Sequence, residues 1–316
     1  MKRYFICAAL MCAMAPAMSA EYPVKPIKLI SGYATGGSVD LAARIFAKHL
    51  GEEMKQTIIV ENRSGASGLI AASSTAKSAP DGYTLYFAVG ATFTVMPTIN
   101  RDAEVDSLEE LTPIGGIVDY TNILLINDTV PASNLKELIA YSKANPQAVT
   151  YGSSGIGSSS HLSGEYFRQL TGAPMTHVPY RGAAPAMMDV IGGQISLFFD
   201  VTATAQGHVK GGKVKPLAVT SKHRNAMFPD VPSVAELGYP DYEVTSWYGL
   251  FAPKAVPASV SDTLNKALAA VRNNPEFRKQ MTSSGYEMFS GGPQDVTARI
   301  EKEKQLWKSV LSATKS

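Results

Sequence analysis

The sequence predicts a two-lobed α/β fold, each lobe a mainly parallel sheet flanked by helices. Three observations carry that reading. The chain has 316 residues, and at roughly 150 residues per domain that is room for two. Short apolar runs alternate with amphipathic stretches in β-α-β-α-β order, which implies parallel strands joined by crossover helices. The alternation then repeats, and the closing amphipathic stretches leave no room for a third core.

Each element follows in order. Pro26 to Ile30 reads as a strand entering the turn Gly32-Tyr33-Ala34-Thr35-Gly36-Gly37. A helix starts near Ser38, its expected N-cap, with Asp40 in the first turn and Leu41, Ile45, Phe46, Leu50 and Met54 on its apolar side. Thr57 to Val60 is a strand, Arg63 to Gly68 a turn, and a small-residue helix runs to about Ala79. Pro80-Asp81-Gly82 turns the chain into a strand from Tyr83 to Val89. In the second lobe, strand 123–126 and helix 134–143 precede strand 149–152, which runs into the loop Ser153 to His161. A helix carries Leu162, Tyr166, Phe167 and Leu170 and stops near Gly172. Strand 177–180, a helix from Pro185 to Gly192-Gly193, and strands 195–199 and 216–220 complete that lobe. Trp247 to Ala252 is extended, Ser261 to Asn273 is amphipathic, and Pro293 to about Ala313 is a helix with Val296, Ile300, Trp307 and Leu311 in one stripe. These closing helices are expected to pack back on the first sheet. That makes the first lobe discontinuous, residues 21–121 plus 247–316, with 122–246 as the second lobe and a cleft between them.

The first twenty residues are set apart. Lys2 and Arg3, an apolar run from Tyr4 to about Ala17, and the small Ser19 and Ala20 have the layout of a secretory signal peptide. The run is short of the roughly 20 residues that cross a bilayer. Cleavage after Ser19 or Ala20 removes Cys7 and Cys12, the two cysteines of the chain, so the exported protein has no thiol chemistry. It also removes two of the 29 basic residues, leaving 27 against 27 acidic. A neutral chain without a basic patch disfavours nucleic acid as a partner.

Motifs for chemistry are sparse. Gly155 and Gly157 form G-x-G, but Ser160 replaces the last glycine of a dinucleotide fingerprint and no acid follows about 20 residues on. Walker A and H-E-x-x-H patterns are absent, and none of His49, His161, His177, His208 and His223 pairs at i, i+4. No metal or cofactor is expected. A hydrolase using Ser158 or Ser159 with His161 would lack an orienting carboxylate. What stands out is one Gly/Ser-rich strand-to-helix turn in each lobe. Such turns expose backbone N–H groups in front of a helix dipole and make anion sites, although they also serve as ordinary βα connections. Arg181 has two readings, an attractor for the anion or half of an ion pair inside the second lobe. Trp247 and Phe93 either line the cleft or pack near it.

The residues carry a family resemblance. Tyr22-Pro23-x-x-Pro26-Ile27, Gly36-Gly37-x-x-Asp40-x-x-Ala43-Arg44, Val60-Glu61-Asn62-Arg63-x-Gly65-Ala66 and Pro80-Asp81-Gly82-Tyr83-Thr84-Leu85 occur in order. They are followed by Tyr151-Gly152-Ser153-x-Gly155-x-Gly157-Ser158-x-x-His161-Leu162, His177-Val178-Pro179-Tyr180-Arg181-Gly182, Pro229-Asp230-Val231-Pro232-Ser233 and Trp247-x-Gly249-Leu250-x-Ala252-Pro253. The exported chain resembles the periplasmic solute-binding proteins of the tripartite tricarboxylate transporter family, also called Bug receptors. Thr35 departs from the proline usual there, and Gln206-Gly207-His208 from a proline-containing segment.

The resemblance implies a periplasmic binding protein of Venus-flytrap, type II-like fold whose lobes close on a small organic carboxylate. Di- and tricarboxylates, aromatic carboxylates, including aromatic dicarboxylates, and acidic amino acids are the class it covers. It implies capture by the first-lobe turn (Tyr33, Thr35, Gly37, Ser38) and the second-lobe turn (Ser153, Ser154, Gly157, Ser158, Ser159), with a contribution around Asp200. Gly90, Thr92 and Arg181 complete the candidate ligand-binding set. It further implies a monomer that delivers its ligand to membrane permease subunits rather than an enzyme. The alternatives are a receptor docking on a membrane signalling kinase, or a hydrolase using the Ser158 region.

Overall fold

A computed structural model describes residues 22–100 and 106–313. The expected signal segment lies outside the described residues. The first lobe opens as expected. Strand β1 (Ile27–Ser31) runs parallel to both β2 (Ile58–Asn62) and β3 (Thr84–Val89). Helix α1 (Ser38–Met54) covers them, burying Val39, Ala42, Ala43, Phe46, Ala47 and Leu50. Three alanines on that face let the helix lie close to the sheet, and Leu41 turns outward instead. Helix α2 (Leu69–Ala76) covers the other face, and two short helices, α3 (Gly90–Thr94) and α4 (Met96–Ile99), follow β3.

The sheets are mixed rather than mainly parallel, and strand β4 (Leu111–Ile126) is the reason. Its first part pairs antiparallel with β9 (Thr245–Pro253) in the first sheet, from Leu111 opposite Pro253 to Thr121 opposite Thr245. Strand β10 (Tyr286–Met288) flanks it there, also antiparallel. From Asn122 onward the same strand joins the second sheet, antiparallel to β7 (Leu197–Val201) and β8 (Lys215–Val219). A chain that crosses between lobes and returns must run both ways at the crossing, which gives antiparallel pairs. The described strands therefore form one path, β2-β1-β3-β9-β4-β7 and then strands Thr150–Ser153 (β5) and Thr176–Pro179 (β6), with β8 and β10 also on β4.

The second lobe keeps its parallel unit, β5 (Thr150–Ser153) between β6 (Thr176–Pro179) and β7. Helices α5 (Leu135–Ala144), α6 (Ser159–Thr171), α7 (Ala183–Ile191) and α8 (Thr202–Lys210) surround it. Asn134 caps α5, and its side chain accepts from the Glu137 N–H at 3.0 Å. Helices α9 (Ala258–Asn273) and α10 (Pro275–Ser283) return to the first lobe. The last helix, α11 (Pro293–Ala313), buries Val296, Ile300, Trp307 and Leu311. It reaches beyond the first sheet: Trp307 meets Tyr166 of α6 edge-on at 6.4 Å.

The strands that cross between the two sheets are fastened at one threonine. Thr220 accepts the Asn122 N–H at 2.9 Å and donates to the Val244 carbonyl at 2.7 Å. Beneath them, Arg299 of α11 pairs with Asp119 on β4 and Glu303, and Trp247 Nε1 donates to Glu303 at 3.3 Å. No described helix is long and apolar enough to cross a membrane.

Candidate functional site

The first-lobe turn is built around Asp40. Gly36 adopts φ +86°, a left-handed value that suits glycine. Gly37 is the N-cap of α1 and makes no side-chain cap bond, so Ser38 is the first helical residue rather than the expected cap. Asp40 reaches back instead. Its carboxylate accepts from the Gly36 N–H, Arg44 Nε and Asn62 Nδ2, each at 3.0 Å. Burial opposes ionisation, but these donors hold the carboxyl below the usual range. The amides of Ser38 and Val39 precede the first intrahelical bond, Leu41 N–H to the Gly37 carbonyl, and so lack a helical acceptor. The Ser38 hydroxyl lies 3.4 Å from that of Tyr248.

The second-lobe turn is a chain of hydroxyls. Ser158 caps α6, accepting from the His161 N–H at 3.3 Å. Its own proton goes to the Gly155 carbonyl at 2.6 Å. A carbonyl cannot donate, so the direction of the chain is determined. Ser160 donates to Ser158 at 2.9 Å and accepts the Ser154 N–H at 2.9 Å. Ser160 has then spent its proton, so the Ser154 hydroxyl donates to it at 3.1 Å, and the Ser159 hydroxyl donates to Asn122 Oδ1 over a long 3.5 Å. Behind the turn, His161 Nδ1 accepts from the Gly157 N–H at 3.2 Å, and His177 Nε2 meets the Ser153 hydroxyl at 2.7 Å. Burial lowers both imidazole pKa values, and the second ring adds to it for His177, which falls to about 4.

The two turns face one another across a cavity of about 130 Å³. Of the candidate residues, Tyr33, Thr35, Gly37, Ser38, Ser154, Ser158, Ser159, Arg181 and Asp200 line it. The other four sit elsewhere, each for a packing reason. A Cβ on Gly90 would lie 2.5 Å from Trp247, so this glycine admits the indole. Thr92 is fully buried and donates to the Ser67 carbonyl at 2.8 Å. Ser153 is fully buried against His177. Gly157 has φ +82°, and its Cβ would lie 2.8 Å from Ile99 of the first lobe. Trp247 and Phe93 also lie away from the cavity, each stacked on Phe251.

Several cavity residues escaped the sequence reading. Tyr120 and Asn122 come from β4, Tyr248 from β9 and Phe198 from β7. Asn122 is a polar residue at the head of an apolar run, which is a visible signal. The Gly182-Ala183-Ala184-Pro185 start of α7 is a third helix N-terminus on the cavity. A small-residue helix start carries no polar side chain to mark it.

Arg181 lines both the cavity and its mouth and forms no ion pair among the described residues. Asp200 is the counterpoint. It is 2% exposed, and Oδ2 accepts from Thr204 at 2.8 Å, while Oδ1 has no hydrogen-bond partner among the described residues. Burial raises its pKa to about 7, against the lowering effect of Thr204 and the Val201 N–H. Burial also keeps the Tyr33, Tyr120 and Tyr248 phenols protonated. The lobes touch at the mouth of the cavity, where Ser67 donates to the Ile156 carbonyl at 2.8 Å.

Residues 42–315 match the family model TctC, the tripartite tricarboxylate transporter family receptor. The chain belongs to that receptor family. Protein BugT of Bordetella pertussis is 33% identical over 307 residues, covering 95% of this chain and 92% of that protein. Among solved structures, R. palustris Rpa4515 with adipate superposes with a TM-score of 0.88 at 32% identity, covering 92% of this receptor and 98% of that chain. MatC from Rhodopseudomonas palustris with bound malate gives 0.84 at 27% identity, with 92% and 99% covered. The receptor thus has the α/β periplasmic binding protein fold of a solute-binding protein, with mixed sheets flanked by helices.

Proposed function

We propose that this receptor captures a small organic carboxylate between its two lobes and delivers it to the membrane permease subunits of a tripartite tricarboxylate-type transporter. The class spans di- and tricarboxylates, aromatic carboxylates and acidic amino acids. One observation carries the reading: the N-termini of α1, α6 and α7 converge on one cavity that also holds Arg181. Each helix end contributes about 0.3–1 kcal/mol toward an anion when exposed, and more when partly buried. A chain with nearly balanced charge, 29 basic against 27 acidic residues, can therefore concentrate positive potential that its charge count does not record. Adipate and malate, carried by the two R. palustris relatives, suit such a site.

In this reading the two sheets are the moving lobes. The chain crosses between Thr121 and Asn122 and between Val244 and Thr245, the second crossing two residues before Trp247. A ligand touching both turns favours the closed state over the open one. The hydrolase alternative fares poorly, because the Ser158 proton is committed to a carbonyl and His161 Nδ1 to the Gly157 amide. A receptor that docks on a membrane kinase would use the same cavity and differ only in its partner.

A thermal-shift screen with an organic-acid library, adipate and malate included, tests the function. An acid at 100 times its dissociation constant adds about 2.7 kcal/mol of stability. Stabilisation by neutral sugars or by cations alone, with no acid effective, would refute it.

A further inference from the structure

We propose that Asp200 meets the ligand as a neutral acid, its unpartnered Oδ1 carrying a proton that it donates to a ligand carboxylate oxygen, so that capture is coupled to proton uptake. The inference rests on the carboxylate reading above and deepens it.

The geometry is as follows. Asp200 is the fourth residue of β7, opposite Ile123 of β4, and lines the cavity. The Thr204 hydroxyl donates to Oδ2, and Oδ1 is buried with no hydrogen-bond partner among the described residues. No lysine, arginine or histidine lies within ion-pair distance of it among the described residues. A buried carboxylate with neither a counter-ion nor a donor on one oxygen is costly, and protonation is the usual relief. The rise of its pKa to about 7 agrees.

The groups facing it do not reverse this. Tyr286 of β10 feels its charge, and Tyr33, Tyr120 and Tyr248 line the same cavity; burial keeps all four phenols neutral. Behind the second-lobe turn, burial lowers the pKa of both the His161 and His177 rings, which favours their neutral forms. Arg181 and three helix N-termini supply positive potential to the cavity, which disfavours the other possible partner for Oδ1, a ligand ammonium. A carboxylate oxygen is then the complement, and the proton between two carboxyl groups removes their repulsion.

The experiment is calorimetry of adipate and malate binding from about pH 6.5 to 8.5. Buffers of unequal ionisation enthalpy, used in parallel, count the protons taken up. The wild-type association constant is expected to fall about tenfold per pH unit toward the alkaline end, with proton uptake approaching one per ligand there. Asp200→Asn keeps an N–H donor, so it should bind within roughly tenfold of wild type near pH 6.5 and lose the slope. Affinity that is independent of pH or rises with pH in the wild type overturns the inference and leaves the carboxylate reading intact. So does a slope that survives in Asp200→Asn. Failure of every organic acid to bind, at any pH, overturns both. A ligand-free check does not depend on the choice of acid: the Asp200 carboxyl carbon, assigned by its loss in Asp200→Asn, is expected to titrate near neutrality by NMR. A midpoint near the ordinary aspartate value overturns the inference.

Discussion

Ser158→Ala separates a capping role from a ligand-binding role. The Ser158 hydroxyl accepts the His161 N–H and donates to the Gly155 carbonyl at 2.6 Å. Losing an N-cap costs about 1 kcal/mol, and losing a buried hydrogen bond costs about another 1 kcal/mol. Unfolding entropy of about 2.1 cal/mol/K per residue gives about 0.6 kcal/mol per degree for a chain of this size. The expected loss of about 2 kcal/mol is then about 3 °C in Tm, measured by calorimetry on ligand-free protein. Ser158→Asn, which keeps the cap acceptor, should recover about half of the loss. Carboxylate affinity is expected to change little, because the Ser158 proton points at a carbonyl. An unchanged Tm together with a tenfold loss of affinity would refute the hydroxyl chain derived above.

Three further outcomes are expected. Gly90→Ala drives a Cβ to within 2.5 Å of the buried Trp247 ring; the overpacking should cost about 1–3 kcal/mol in chemical denaturation, and wild-type stability would show that the indole can yield. Ser67→Ala removes the bond to Ile156 across the mouth; the closed state should lose about 1 kcal/mol, read as a roughly fivefold weaker apparent affinity and a wider small-angle scattering profile, and an unchanged profile and affinity would show that the contact is incidental. His177 has its folded pKa depressed to about 4 by burial and by His161. The unfolded imidazole therefore takes a proton first: its contribution is complete above about pH 6.5 and is lost as pH falls toward about 4. His177→Phe should flatten the fall in denaturation midpoint over that window, and an identical slope in both proteins would exclude the pair as its source.

How much was legible can be judged element by element. Local patterns announced β1 to β3, the helix after each Gly/Ser turn, the Gly172 stop and the buried stripe of α11, because period and punctuation are properties of neighbouring residues. The full length of β4 was not legible. Pro113, Gly115, Gly116 and Asp119 read as breakers, yet the segment is a strand, since β9 and β10 hydrogen-bond along it and Phe289 fills the space over Gly116. Helix α8 was missed as well; its nine residues contain one glycine and a weak apolar face, and packing against β4 and β7 holds it.

The site divides in the same way. Both Gly/Ser turns could be named from the chain, because glycines before a helix start are visible in one dimension, while Arg181 kept two readings and Asp200 came with the family resemblance. Ser38 and Ser158 look alike in sequence, but one hydroxyl faces the cavity near Tyr248 and the other is tied to its own loop. The choice depends on where a second segment places an acceptor. Sequence by itself determined the family, the βα turns and the near balance of 29 basic against 27 acidic residues. Tertiary structure alone decided where each hydroxyl donates, which N-termini meet and that Asp200 stands without a counter-ion among the described residues, because a hydrogen bond or a buried charge depends on groups that the chain brings together only by folding.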